Sequence, residues 1–342
     1  MNKFWKHILL IFAAVVFLLA AYILFLFFIP NFHQKGKEKQ YLFLREGAVY
    51  NDVVSQLKKK STVFSMFSFN QVSNILNYTN NVKSGRYLIP NGASNFTLIR
   101  TLRSGRQTPV QLTFNNIRTK EQLAGRLSKQ LMPDSVQFLK LLNDTAFLSK
   151  YNLNPYTSIS IFLPNTYQIF WNTSVENIFE RMYKEYNKFW TPERNQKASE
   201  IPLTQSEVIT LASIVDAESN TSFEKPIIAG LYINRLRKSM PLQADPTIIF
   251  AAGDFSIKRV TGTYTSIKSP YNTYKNRGLP PGPIRIPDLK TIDAVLNYDK
   301  NDYVYMCAKE TLNGEHNFSS NWAEHQQNAK KYQQALNERG IH

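Results

Sequence analysis

The chain has 342 residues and a formal net charge of +16, with 41 Lys and Arg against 25 Asp and Glu. The single cysteine, Cys307, excludes an intrachain disulfide and any zinc site built from several thiolates. No two of the five histidines have the i, i+4 spacing of a helical metal site, so we expect no metal or other cofactor. The positive charge suits an anionic partner, either lipid headgroups or an acidic wall polymer, or it is simply a solvated surface. We expect no nucleic-acid partner, because the sequence lacks zinc-finger spacing, an RNP-type run and a long basic helix.

An uncharged apolar segment over residues 8–29 predicts a transmembrane helix, since it is long enough to cross a bilayer core. The sequence after it lacks the small-residue cleavage site of a signal peptide. We therefore expect an uncleaved anchor, with residues 1–7 as a cytoplasmic tail. The positive-inside rule does not favour an outside C-terminus, because lysines flank both ends of the segment: Lys3, Lys6, Lys35, Lys37 and Lys39. An extracytoplasmic placement of the remaining chain depends on function, not on charge.

After a short polar linker over residues 30–40, the sequence predicts a compact module over residues 41–109. Its expected elements are a strand, a helix, a second strand and a second helix, at 41–44, 53–57, 85–90 and 98–102. Strands and helices this short are typical of a small α+β unit.

Residues 110–342 are predicted to form one mixed α+β domain. A strand is expected at 110–114, followed by helices at 123–131, 136–142, 174–190, 204–218 and after Pro226. Beyond residue 240 the pattern changes to loops and strands, and the chain ends in a polar helix from Trp322 to Glu338. Cys307 lies in a predicted strand, where we expect a buried core thiol. The predicted fold class is thus α+β, with one N-terminal transmembrane helix.

Glu218 ends the predicted helix at 204–218, whose capping box is formed by Thr204 and Glu207. An apolar stripe at spacings of three and four leads to Glu218 and consists of Val208, Leu211, Ala212 and Val215. Asp216 falls on the flank of that stripe. A carboxyl group on an inward stripe is costly to ionise, so we expect a raised pKa for Glu218, as a general acid needs at neutral pH. The pattern also fits a structural glutamate that accepts hydrogen bonds at a helix end.

Three irregular segments downstream of Glu218 supply candidate sugar-binding residues: 240–247, 269–283 and 314–319. Aromatic faces suit sugar rings and amides suit hydroxyl and acetamido groups, although an ordinary surface loop has the same composition. The candidates are Gln243, Asp245, Tyr271, Asn272, Tyr274 and His316. Because Pro246 follows Asp245, the backbone is expected to be extended at Asp245.

Several of these motifs occur in a recognisable order. They are Leu211-Ala-Ser-Ile-Val, Asn234-Arg-Leu236, Met240-Pro-Leu-Gln with Asp245-Pro-Thr247, Ser269–Tyr274, Gly278–Ile284 and Glu324-His325. As an ordered set they resemble the YceG-like family, the MltG-type endolytic murein transglycosylases. The resemblance is clear over residues 161–335. Residues 41–105 resemble the LysM-like module that precedes the catalytic part in that family, so we predict a LysM-like module at 41–109 and a catalytic domain at 110–342.

The resemblance implies a lyase that cuts the bond between N-acetylmuramic acid and N-acetylglucosamine within nascent peptidoglycan strands. It would leave 1,6-anhydro ends without consuming water, and so end glycan elongation. The family's catalytic glutamate matches Glu218. Where the family usually has Glu and Asp, this chain has Asp216 and Asn165, which we take as further substrate-binding candidates; Asn165 lacks the charge of the family's usual Asp.

The same resemblance implies a single-pass protein of the cytoplasmic (inner) membrane with its catalytic domain outside. Its expected partners are peptidoglycan glycan strands, the lipid bilayer and peptidoglycan synthases. The alternatives are a hydrolytic muramidase with Asp245 or Asp216 as second carboxylate, a non-catalytic wall-binding scaffold, and a membrane-tethered nucleic-acid binder.

Overall fold

The structure is a computed structural model that describes residues 3–257 and 259–339. The described chain is a mixture of helices and short strands, which confirms the predicted α+β class. It divides into two compact units. Unit 1 comprises the chain up to residue 112 with residues 130–133 and 167–173, and unit 2 comprises 113–129, 134–166 and the chain from residue 174.

Unit 1 is built from short elements around one core. In chain order they are α1 (Lys3–Phe27), β1 (Pro30–Gln34), β2 (Gln40–Leu44), α2 (Tyr50–Lys60), β3 (Ser61–Val63), α3 (Met66–Ile75), β4 (Gly85–Ile89), β5 (Ala93–Ser94) and α4 (Asn95–Ser104). Strand β1 pairs antiparallel with both β3 and β5, and β2 pairs antiparallel with β4. Serine caps begin two of the helices, since Ser65 accepts from the backbone N–H of Ser68 and Ser94 accepts from that of Thr97.

Helix α1 is the one helix among the described residues that is long and apolar enough to cross a membrane. It begins at Lys3, ahead of the predicted segment, and ends at Phe27. Its side chains are exposed until its final turn, where Leu26 is buried. The prediction of an N-terminal apolar helix is thus confirmed.

The predicted polar linker over 30–40 contains strand β1, which the sequence analysis missed. Asn31 and Phe32 are both buried, and Phe32 packs edge-on against Phe69 with ring centroids 5.5 Å apart. A strand of five residues that contains two amides and an imidazole has too little apolar alternation to be recognised from sequence.

Strands β6 (Val110–Phe114) and β7 (Asn165–Ile169) pair with each other. The other elements of unit 2 are α5 (Lys120–Ser128), α6 (Ser135–Asn143), α7 (Thr145–Ser149), a 3-10 helix (Ser158–Ile161), α8 (Val175–Phe189), α9 (Pro192–Glu200), α10 (Gln205–Glu218), α11 (Lys225–Arg237), α12 (Asp245–Ala252), α13 (Gly262–Thr265), α14 (Leu289–Leu296), β8 (Tyr305–Ala308), β9 (His316–Ser319) and α15 (Trp322–Glu338). Strands β8 and β9 pair antiparallel, and α15 packs against them.

Helix α10 is the centre of unit 2. It contacts α9, α11, α12, α14 and the 3-10 helix, so every residue from Val208 to Asp216 is buried. The predicted single apolar stripe is therefore wrong, because the helix has no solvent face along this stretch. Helix α11, one of its neighbours, is itself closely packed: a Cβ on Gly230 would clash with the Asp299 carbonyl oxygen in the segment after α14.

The region beyond residue 240 holds three helices, α12 to α14, in addition to the expected loops and strands. The extended backbone predicted at Asp245 is wrong, since Asp245 is the first residue of α12 and the extended residue is Ala244 before it. Pro246 is compatible with this start, because the first turn of a helix leaves its backbone N–H groups unpaired.

Candidate active site

Glu218 is the last residue of helix α10, as the sequence predicts. The helix begins with the predicted capping box: Thr204 Oγ1 accepts from the backbone N–H of Glu207, and Glu207 Oε2 accepts from that of Thr204 at 2.8 Å. Ser219 ends the helix in an extended conformation. The carboxyl group of Glu218 thus stands where the helix emerges from the core.

A cavity of about 240 Å³ opens at Glu218, and most of its lining is polar. Four other predicted site residues line the same cavity: Gln243, Asp245, Tyr274 and His316. The remaining walls come from α11, the 241–243 segment and strand β8, namely Leu231, Tyr232, Arg235, Leu242, Met306, Cys307 and Ala308. Residues far apart in sequence therefore converge on one carboxyl group. Cys307 is half-buried at this wall, so the predicted buried core thiol is wrong.

The pKa of Glu218 is raised to about 7. Burial is the main cause, because it penalises the charged carboxylate, and the negative charge of Asp245 adds to it. Two groups act in the opposite direction: the Tyr232 hydroxyl donates a hydrogen bond of 2.7 Å to Glu218 Oε1, and the nearby Arg235 is positively charged. The result is a carboxyl group that holds or releases a proton near neutral pH.

Asp245 and Tyr274 form a pair on the cavity wall. The Tyr274 hydroxyl donates to Asp245 Oδ1 at 2.5 Å. Burial and this hydrogen bond to Asp245 raise the pKa of Tyr274, which therefore remains a donor at neutral pH. A phenol and a carboxylate held together in this way present hydrogen-bonding groups to a polar ligand in the cavity.

Arg235 is a site residue that the sequence analysis missed. Its guanidinium donates to the carbonyl oxygens of Val304 and Leu242, at 2.6 and 2.8 Å, and to Gln243 Oε1 at 3.2 Å. These bonds hold the backbone of the 241–243 segment, in which Gln243 adopts a left-handed φ of 50°. Tyr232 lies one turn earlier on α11, so the spacing of three residues puts both side chains on one helix face.

Glu224 is a second residue missed from sequence. It is almost completely buried, at 1% exposure, and joins two parts of the site. Its Oε1 accepts from the backbone N–H of His316 at 2.7 Å, while its Oε2 lies 3.0 Å from His316 Nδ1. The Ser219 hydroxyl, directly after Glu218, donates to the same Oε2 at 3.0 Å. Glu224 thereby positions both His316 and the end of α10.

Asp216 does not line the cavity, contrary to its prediction as a substrate-binding residue. Its carboxylate is buried among three partners from distant segments. Lys225 Nζ and the Thr291 hydroxyl each lie 2.7 Å from Oδ1, and Arg285 Nε lies 3.2 Å from Oδ2. This network joins α10, α11 and α14, so Asp216 acts in the packing of the helices.

Asn272 and Tyr271 also lie outside the cavity lining. Asn272 is fully buried: its amide donates to the Thr265 and Ile267 carbonyls, and its Oδ1 accepts from the backbone N–H of Tyr274, so it shapes the loop that carries Tyr274. Tyr271 packs against Phe250 with ring centroids 4.7 Å apart.

Asn165 is the last candidate outside the cavity lining. It is exposed at the start of β7, and its side chain accepts a hydrogen bond from the backbone N–H of the next residue.

Among residues 3–257 and 259–339, no group of three His, Cys, Asp or Glu side chains is arranged to hold a metal ion. The polar side chains that line the cavity can transfer protons and form hydrogen bonds.

The chain is similar to known proteins over most of its length. The model of the YceG-like family matches residues 42–331. An endolytic murein transglycosylase from Bacillus subtilis (strain 168) is 30% identical over 310 residues, covering 86% of this chain and 84% of that protein. An endolytic murein transglycosylase from Streptococcus pneumoniae (strain D39) is 28% identical over 324 residues; the match covers 84% of this chain but only 57% of that protein. The crystal structure of a YceG-like protein from Listeria monocytogenes superposes with a TM-score of 0.57 at 26% identity, covering 85% of this chain and 99% of that one.

Proposed function

Because this chain belongs to the YceG-like family, we propose that it is a membrane-anchored lytic transglycosylase that cleaves peptidoglycan strands from within. Its relatives in Bacillus subtilis and Streptococcus pneumoniae are named endolytic murein transglycosylases. The bond cleaved is the one between N-acetylmuramic acid and N-acetylglucosamine, and the new end is 1,6-anhydro-N-acetylmuramic acid. The observation that carries the proposal is a carboxyl group, Glu218, with a pKa of about 7 at a polar cavity.

In the first half of the reaction, protonated Glu218 donates its proton to the glycosidic oxygen while the bond from that oxygen to the anomeric carbon breaks. Positive charge develops at the anomeric carbon. A pKa of about 7 leaves a large fraction of Glu218 protonated at neutral pH. The carboxylate that forms is stabilised by the hydrogen bond from Tyr232 and by the charge of Arg235.

In the second half, the Glu218 carboxylate takes a proton from the sugar's own C6 hydroxyl as that oxygen bonds to the anomeric carbon. One proton leaves Glu218 and one returns, so the enzyme ends in its starting state and no water is consumed. One carboxyl group is therefore sufficient. A hydrolase of the common kind pairs two carboxyl groups across the bond.

The cavity residues supply the proposed contacts with the glycan. Gln243, the Asp245–Tyr274 pair and His316 are placed to hydrogen-bond sugar hydroxyl and acetamido groups. Asn272 acts through Tyr274, since it holds that residue's backbone. Tyr271, Asn165 and Asp216 have no cavity contact to support the substrate-binding role that the sequence analysis gave them.

Asp245 favours one alternative, a hydrolytic muramidase, because it lies in the same cavity as Glu218 and could activate a water molecule. The Tyr274 hydroxyl already donates a hydrogen bond to Asp245 Oδ1. This bond favours a role for Asp245 as a fixed hydrogen-bond acceptor over a role as a general base. The chemical nature of the new glycan end distinguishes the two reactions.

We further propose that α1 anchors the protein in the cytoplasmic membrane, with residues 1–7 inside and the catalytic domain, 110–342, outside. The apolar helix and the activity of the relatives support this arrangement. Residues 41–109 are proposed as a LysM-like glycan-binding module, and peptidoglycan synthases as partners, because cleavage of a nascent strand ends its elongation.

The test is to incubate the purified full-length protein in detergent with uncrosslinked glycan strands and to weigh the products. The proposal predicts fragments whose muramic acid end is lighter by one water than a reducing end. If the parent protein produced reducing ends and Asp245→Asn did not, the enzyme would be a hydrolase instead. Binding of strands without any cleavage would leave only a scaffold role.

A further inference from the structure

The end of helix α1 is built into the core of unit 1. Leu26 is buried, at 4% exposure, and Phe25 and Phe27 pack against the same core. The Asn95 side chain at the start of α4 donates to the Leu26 carbonyl oxygen at 2.7 Å. This bond satisfies one of the carbonyl groups that a helix end leaves unpaired. The module therefore begins where the apolar helix ends, with no free linker between them.

The segment after α1 is bonded to the start of α3. Asn31 accepts from the backbone N–H of Phe64 through its carbonyl oxygen, at 2.9 Å, and from that of Ser65 through its side chain, at 2.6 Å. Its amide also donates to Asn95, which in turn donates to Ser68 on α3. A buried polar network thus holds the starts of α3 and α4 at the end of α1.

Large apolar side chains stand exposed at this junction. Phe64 is 69% exposed and Phe67, in the first turn of α3, is 60% exposed. Phe28 and Ile29, directly after α1, are 54% and 44% exposed. We call these four residues the juxtamembrane face. An exposed cluster of this kind at one end of a small module is typical of a surface that is covered by a partner.

The charge around the juxtamembrane face is one-sided. Residues 25–35, 61–70 and 91–101, which form the junction, contain no Asp or Glu, whereas they include Lys35 and Arg100. The Arg100 guanidinium lies over the Phe96 ring at 5.9 Å, and Phe96 contacts Phe28 with centroids 5.6 Å apart. Aromatic rings with basic groups and no acids are what the headgroup region of an anionic membrane attracts.

We propose that the juxtamembrane face lies in the interfacial layer of the bilayer, so that unit 1 is seated on the membrane as well as tethered to it. The inference rests on the proposed anchoring of α1, because Phe28 and Ile29 directly follow the exposed apolar side chains of that helix and Phe64 is bonded to the segment after it. Side chains in such a position enter the boundary between headgroups and acyl chains by about 5–10 Å. A lipid surface is the occupant that explains both this position and the absence of acidic residues.

The test places a fluorescent probe that responds to polarity at single cysteines of the full-length chain, in a Cys307→Ala background, reconstituted in vesicles containing anionic lipid. Probes at Phe64→Cys and Phe67→Cys report the juxtamembrane face. The matched control is Ile75→Cys, which is also exposed but lies at the other end of α3. A probe at Leu18→Cys reports the middle of α1. Lipids that carry a quencher measure the access of each probe to the bilayer.

The proposal predicts several-fold stronger quenching by lipid at 64 and 67 than at 75, together with blue-shifted emission at those two positions. Quenching at 18 without quenching at 64 and 67 would overturn this proposal and leave the anchor standing. No quenching at 18 would overturn both. Blue-shifted emission at 64 and 67 without lipid quenching would also overturn it, since a protein partner would then cover the face.

Discussion

Asp216 and Glu218 belong to the last turn of helix α10, and their carboxyl groups have contrasting surroundings. Asp216 is held by Lys225, Arg285 and Thr291 at 2.7 to 3.2 Å. Glu218 receives a hydrogen bond from Tyr232 and faces the negative charge of Asp245 across a cavity. Asp216 is buried and Glu218 is partly buried at the cavity, and the groups around the two carboxyl groups differ.

The comparison shows how one helix end combines stability with chemistry. A buried carboxylate surrounded by cations and donors joins helices together. A carboxyl group whose burial and negative neighbour outweigh its hydrogen-bond donor has a raised pKa and is available for proton transfer. Substitutions at the two carboxyl groups and at their partners test this division of roles.

The largest effect is expected for Glu218→Gln, which keeps the shape of the side chain but cannot give up a proton. Strand cleavage should fall by about 10²–10⁴-fold, because one residue supplies both the acid and the base. The measurement is the rate of product formation on uncrosslinked strands. Unchanged cleavage in this variant would remove Glu218 from its proposed role.

Asp216→Asn should act on stability. It leaves Lys225 and Arg285 without their buried partner, so the free energy of unfolding should fall by about 3–5 kcal/mol. The matched control is Asp216→Glu, which restores the charge and should be much less destabilising. Chemical denaturation of the three proteins measures the difference. An Asp216→Asn protein of normal stability with lost cleavage would place Asp216 in the chemistry and contradict the comparison.

Two substitutions should move the pH dependence of cleavage in opposite directions. Activity should decline as pH rises through about 7, where Glu218 loses its proton. Tyr232→Phe removes the hydrogen bond that lowers the pKa of Glu218, so the decline should move about one pH unit higher. Asp245→Asn removes a negative charge that raises the pKa of Glu218, so the decline in activity should move to lower pH. Shifts in the same direction in the two variants would contradict the assigned causes.

A smaller effect concerns stability against pH. The pKa of Glu218 is about 7 in the folded protein, against an ordinary value of 4.5. Between these values the folded chain binds more protons than the unfolded chain, so the free energy of unfolding falls as pH rises through that window. Glu218→Gln removes this loss and should be more stable than the parent above pH 7 by about 1–3 kcal/mol. If Glu218→Gln were less stable than the parent above pH 7, the Glu218 carboxylate would have to be stabilised by its partners in the folded protein, contrary to this prediction.

Local patterns predicted much of the secondary structure. The capping box of α10, strand β6 and the polar helix α15 lie where the sequence indicates, because each has a signal within a few residues. The family prediction is confirmed by the match over residues 42–331. The domain boundaries and the LysM-like assignment stay predictions.

The errors have a common physical cause. Asp216 was assigned to a flank because helical periodicity cannot show that a helix is covered on all sides. Arg235 and Glu224 were missed because their partners, Val304 and His316, are separated from them by a long stretch of sequence. Tertiary contacts decide the state of these polar side chains, and single-sequence patterns do not contain them.

The ionisation of the Glu218 carboxyl group tests its proposed role in proton transfer most directly. Infrared difference spectra between the parent protein and Glu218→Gln, recorded across pH, isolate that carboxyl band from the rest of the chain. The Glu218 carboxyl group is expected to be largely protonated at pH 6 and to ionise near pH 7. A carboxylate that is already ionised near its ordinary value of 4.5 would contradict it.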